Sequence, residues 1–100
     1  MTKIKSFEEL NCWKESREFN RTVYKITNEE NFNKDFDLRK QLRRASISVS
    51  SNIAEGFERN TDKEFIYFLY VSKGSAGEIR SQLYLAHDLK YIDKNELIEL

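Results

Sequence analysis

The chain has no proline, three glycines and a single cysteine among its 100 residues. Proline and glycine are the residues that most oppose helix, so almost nothing here forbids long helical runs. The lone thiol, Cys12, can neither close an internal disulfide nor build a zinc site by itself, which points to a reducing compartment and makes the cytoplasm the expected location. Net charge is also missing, because 17 basic side chains balance 17 acidic ones. That removes the overall positive field of a non-specific nucleic-acid binder, and any such contact would need a local patch. No apolar run approaches the ~18 residues that span a bilayer, and Met1 to Glu9 lacks the apolar stretch of a signal peptide. The pattern is that of a protein neither embedded in a membrane nor exported by that route.

What remains is 39% apolar and 34% charged. This length and balance fit one domain, residues 1–100, with a thin core. Small domains leave much apolar surface uncovered, and self-association is a common remedy.

Helix starts are marked by three capping boxes: Ser6 with Glu9, Thr61 with Glu64, and Asp93 with Glu96. The first predicted helix runs from about Phe7 to Thr27, with Leu10, Trp13, Phe19, Val23 and Ile26 near one face. Asn28 to Phe36, rich in Asn and acidic residues, reads as the longest loop. A second helix begins after Asp35 or Asp37, carries the stripe Leu38, Leu42, Ala45, Val49, Ile53 and Phe57, and ends between Gly56 and Asn60. Within it, Ser46 to Ser50 alternates with period two, as a strand would, but no partner strand is visible and helical spacing continues on both sides. The third helix spans Asp62 to about Leu89, roughly 40 Å at 1.5 Å per residue. Asp93 opens a fourth, with only Lys94 to Leu100 following. Short connections make neighbouring helices antiparallel, so the predicted fold is an all-α, up-down four-helix bundle with a short or truncated fourth helix.

The segment from Gln41 to Phe57, Gln41-Leu42-Arg43-Arg44-Ala45-Ser46-Ile47-Ser48-Val49-Ser50-Ser51-Asn52-Ile53-Ala54-Glu55-Gly56-Phe57, closely resembles the signature of small bacterial four-helix-bundle proteins, the 23S rRNA intervening-sequence proteins. Supporting pieces occur in the right order: Ser6 to Leu10 with Trp13, then Lys63-Glu64-Phe65 with Phe68-Leu69, then Lys73-Gly74-Ser75 with Glu78 and Gln82-Leu83. The chain departs from the pattern mainly at Ser46, Val49 and Gly77 and in its short fourth helix. The resemblance implies a homopentameric ring of bundles. It also brings in a similar protein, the accessory variability protein of diversity-generating retroelements, which partners a reverse transcriptase and nucleic acid. No cofactor or metal is implied.

Several groups bear on function. The small and β-branched run Ala45 to Ala54 lets helix backbones approach closely. Its serines lack a neighbouring base, since the only histidine, His87, lies on another helix. Arg39, Lys40, Arg43 and Arg44 crowd the first turns of the second helix, where the helix dipole is already positive. They call for an answering anion: a carboxylate such as Glu18 or Glu55 from another helix or subunit, or a phosphate backbone.

The third helix carries more than one apolar stripe. Phe65, Leu69, Ala76, Ile79, Leu83 and Ala86 form a core face that Phe68, Val71, Leu85 and Leu89 extend. A further heptad row holds Tyr67, Tyr70, Gly74, Gly77, Ser81, Tyr84 and Tyr91. A helix apolar over most of its circumference should be buried on more than one side. The row is either a seam between subunits, where the glycines admit another backbone, or a tyrosine-rich surface with a kink. Beside it Lys73, Arg80, His87 and Lys94 repeat at heptad intervals, a ribbon suited to single-stranded nucleic acid or to plain solvation. Arg80 and His87, with six residues between them, also resemble the Arg-x(4-6)-His signature of HEPN ribonucleases, a weak pattern that would make His87 an acid or base. The leading expectation is a non-enzymatic homo-oligomer contacting RNA, DNA or a nucleic-acid enzyme; the alternative is a purely structural scaffold.

Overall fold

In the computed structural model, which describes residues 4–99, the core lies along a central helix that packs against a long helix on each side. A 3-10 turn at Phe7–Glu9 precedes α1 (Asn11–Thr27), a short α2 (Glu30–Lys34), the central α3 (Phe36–Glu58), α4 (Asp62–Asp88) and α5 (Lys94–Glu99). No strand occurs among the described residues, and Ser46 to Ser50 is helical. Cross-helix contacts fix the directions. Asn20 meets Ser46 and Ser50, while Thr27 meets Arg43. Ser72 meets Val49, and Ser75 meets Ser48. In both pairs one number rises as the other falls, so α1 and α4 each run antiparallel to α3. The molecule measures 47 × 20 × 19 Å, little longer than α4 itself.

The predicted caps hold. The Glu9 carboxylate accepts from the backbone N–H groups of Lys5 and Ser6, at 2.9 and 3.0 Å, and these bonds hold its pKa below the usual glutamate value. Leu10 is extended, so the first predicted helix is split into the 3-10 turn and α1. The turn stays docked because Phe7 meets Trp13 edge to face at 5.1 Å. Thr61 Oγ1 accepts from the N–H of Glu64, and Asp93 and Glu96 exchange both bonds of a full capping box.

Two segments differ from the sequence reading. Asn28 to Phe36 is not an open loop, since α2 forms there around Phe32, whose side chain is fully buried and lies 5.1 Å from the Tyr91 ring. A five-residue helix has no stability of its own, so tertiary burial makes it. The second difference is that α3 buries more than its predicted stripe, of which Leu38, Leu42, Ala45 and Ile53 are buried as expected. Ser46 and Ser50 are buried toward α1, where Asn20 bonds both, whereas Val49 and Phe57 are only half-buried. Helix α3 thus has two packed faces, and small residues line both. At Gly56 a Cβ would lie 2.7 Å from the Phe68 Cβ, so glycine is what lets α3 and α4 close up beside their connection.

Helix α4 ends in a Schellman turn. Tyr91 N–H bonds to the carbonyl of Ala86, Lys90 N–H bonds to that of His87, and Lys90 takes the left-handed φ of 63°. This motif usually places glycine at the left-handed position. Beyond it Ile92 is buried, and Leu97 of α5 packs against the core cluster that includes Leu83 and Ala86.

Candidate functional site

Two surfaces collect the residues singled out by sequence. The first is the N-terminal half of α3. Here Arg39, Lys40, Arg43 and Arg44 fall on successive turns, but no carboxylate lies within 4 Å of any of them among the described residues. The anticipated partners are engaged elsewhere: Glu18 pairs with Arg21, and Glu55 with Arg59. Neutral groups hold two of the four cations instead. Arg43 Nε donates to Thr27 Oγ1 at 2.8 Å, and its guanidinium lies 4.4 Å from the Tyr24 ring centroid. Arg39 donates to the Asn33 carbonyl at 3.1 Å and also to the Asn33 side chain. Lys40 and Arg44 are exposed and border a small polar cleft with Asp37, Gln41 and Glu78. Neutral acceptors fix the direction of a guanidinium and leave its charge uncancelled, so Arg39 and Arg43 remain cationic, while Asp37 and Glu78 share the cleft of Lys40 and Arg44.

The second surface is the outer face of α4. Tyr67, Tyr70 and Tyr84 are 62, 68 and 59% exposed, and Ile66, Leu85 and Leu89 are exposed with them. Gly74 and Gly77 lie on this face, and a Cβ built at either meets nothing within 4 Å. Among the described residues, therefore, no close approach compensates for these glycines. Tyr91 does not share this face. The turn at Lys90 reverses the chain, so Tyr91 is half-buried against Phe32 and its hydroxyl donates to Asp35 at 2.9 Å, a bond that raises its pKa above the usual value. The sequence missed this because the heptad count assumed that the helix continued.

Lys73 and Arg80 are exposed on α4, but they do not form a continuous ribbon with His87 and Lys94, since α4 ends before Lys94. Arg80 instead borders an open cleft of about 600 Å³ between α1 and α4, floored by Val49 and lined by Ser16, Phe19, Ala76, Ile79 and Leu83. Sequence reasoning gave no sign of this cleft. His87 lies two turns, roughly 10 Å, beyond Arg80 along the helix. Its Nδ1 is 4.0 Å from the carboxylate of its neighbour Asp88.

No helix among the described residues is long and apolar enough to cross a membrane. No curated protein matches the chain. The segment on which the resemblance rests is the α3 surface just described, with cations at its start and small packed residues along its length. The family model for the 23S rRNA-intervening sequence protein matches residues 8–100, and the chain belongs to that family.

Proposed function

We propose that this protein is a non-enzymatic, self-associating helical module that buries the outer face of α4 between copies and turns the basic start of α3 toward nucleic acid. One observation carries the reading. Three tyrosines more than half exposed share a helix face with two glycines that have open space above them. Large exposed apolar patches mark interaction sites, and tyrosine is enriched in interfaces because it adds contact area at low entropic cost. A homopentamer is the assembly that the family resemblance implies. The same resemblance implies four helices per bundle, and in this reading the α1–α4 cleft takes the fourth. Leu97 of α5 packs against the core cluster, and Leu83 of that cluster lines the cleft.

Light scattering tests the assembly: the reading requires a mass that is a multiple of the 12.0 kDa chain, five-fold for a pentamer. A monomer at micromolar concentration would refute it. The nucleic-acid part rests on four cations without a carboxylate partner among the described residues, and it predicts weak retention of RNA or DNA that falls steeply with salt. A scaffold that pairs those cations with carboxylates across subunits is the competing account. Arg44→Glu separates the two, because the Arg44 side chain is exposed and makes no hydrogen bond or ion pair among the described residues that its loss would break. An intact assembly that loses nucleic acid supports the first account; a dissociated one supports the scaffold. A ribonuclease reading of Arg80 and His87 predicts cleavage that His87→Ala abolishes.

A further inference from the structure

We propose that Phe36, with Arg39 and Lys40 over its ring, is a stacking platform for an unpaired nucleobase, so that this face takes single-stranded rather than duplex nucleic acid. The inference rests on the nucleic-acid reading above and specifies its ligand. Phe36 is the first residue of α3 and is 59% exposed, an unfavourable place for a large apolar ring unless something covers it. The Arg39 guanidinium lies 5.2 Å from the ring centroid and the Lys40 ammonium 5.8 Å, as the i+3 and i+4 positions of a helix allow. One turn further on, Arg43 lies over Tyr24, also an exposed ring. Two exposed aromatic rings, Phe36 on α3 and Tyr24 on α1, therefore each have a cation from the first half of α3 against them.

The chemistry of the face selects the ligand. A lone anion would need only the cations, and an apolar partner would need only the rings. Polyanions with exposed π-faces need both, and unpaired nucleotides supply phosphate and base together. A duplex hides its base faces inside its own stack, leaving only phosphates to bind. The platform is also held in place. The Asn33 carbonyl orients Arg39, and Thr27, itself bonded to the Val23 carbonyl at 2.7 Å, orients Arg43. Asp35 keeps its charge, but its oxygens are directed to the N–H of Leu38 and the hydroxyl of Tyr91, and it forms no ion pair with Arg39 or Lys40. Stacking uses the π-face that every base has, so recognition should tolerate any base.

The test uses the full chain and fluorescence anisotropy with labelled oligouridine of about 12 nucleotides, against an RNA duplex of equal length, across a salt series. The expected result is tighter binding of the single strand, weakened about tenfold by Phe36→Ala with the salt dependence unchanged. Lys40→Gln should instead lower the salt slope by about 0.7. Phe36→Leu, which keeps an apolar group but no ring, serves as a second variant and should behave like Phe36→Ala. Single-strand binding that survives both Phe36 variants, or equal affinity for duplex, overturns this inference and leaves the nucleic-acid reading standing. Wild-type protein that retains neither probe at low salt overturns both. A Phe36→Ala protein that changes its assembly mass but not its RNA affinity identifies the platform as a protein contact and overturns the inference alone.

Discussion

Tyr91 donates its hydroxyl to Asp35 across 56 positions of sequence, and Asp35 uses its other carboxylate oxygen to cap α3. One side chain thus ties the turn after α4 to the start of the helix that carries the basic face. The bond raises the Tyr91 pKa above its ordinary value of 10.0, chiefly because ionisation would destroy a hydrogen bond donated to a carboxylate, with partial burial adding to the shift. A group whose folded-state pKa is raised contributes stability that is complete below its unfolded value and is lost as pH rises through the folded one. Spectrophotometric titration should therefore show one of the five tyrosines ionising late. Tyr91→Phe should remove that late step and flatten the loss of stability above pH 10. If the late step survives Tyr91→Phe, the assignment is wrong.

The Lys90 backbone gives a second prediction. Its φ of 63° is a conformation that costs a residue bearing a Cβ roughly 1 kcal/mol, and only glycine adopts it freely. Lys90→Gly relieves that cost while making the unfolded chain more flexible. The net expectation is a gain of about 0.5 kcal/mol, seen as a rise of a few degrees in thermal midpoint. A lower midpoint would show that the Lys90 side chain contributes more than the strain removes.

Asn20 bridges two buried serines, accepting from Ser46 at 2.5 Å and donating to Ser50 at 3.0 Å. Asn20→Ala would strand the Ser46 hydroxyl in the α1–α3 seam, because Ser46 is fully buried. Ser50 keeps its own bond to the Ile47 carbonyl. The expected cost is about 1–3 kcal/mol by chemical denaturation. The double variant Asn20→Ala with Ser46→Ala should recover part of it, since a buried pair removed together leaves no orphan.

What the sequence revealed and what it hid follows from the range of each interaction. Caps are local, and the Thr61 and Asp93 starts were legible from residues three apart. The burial of Phe32 depends on Tyr91, nearly sixty residues away, so α2 looked like loop. Lysine at the left-handed position of the Schellman turn gives no sign of the chain reversal, so the heptad row runs on to Tyr91 although the helix is read to end near Leu89. The basic cluster was legible as a cluster, but its contacts were not. Thr27 and the Tyr24 ring carry no formal charge, and a search for answering carboxylates passes over them. The α1–α4 cleft was invisible because it arises from where three helices meet, not from any one of them.

The glycines of the chain make opposite predictions according to what stands over them. At Gly56 an added Cβ would collide with the Cβ of Phe68, so Gly56→Ala should force α3 and α4 apart and cost roughly 1–3 kcal/mol. At Gly77 the same methyl group meets nothing within 4 Å among the described residues. Alanine is the better helix former by about 1 kcal/mol, so Gly77→Ala should stabilise an isolated chain by that amount. If the row is the seam between copies, the methyl group instead occupies space that a neighbouring backbone needs. Gly77→Ala should then shift the mass measured by light scattering toward the single chain while raising the thermal midpoint of that chain, and Gly74→Ala should act in the same direction. An assembly whose mass is indifferent to both substitutions would place the contact elsewhere on the molecule and leave Tyr67, Tyr70 and Tyr84 as a solvated face.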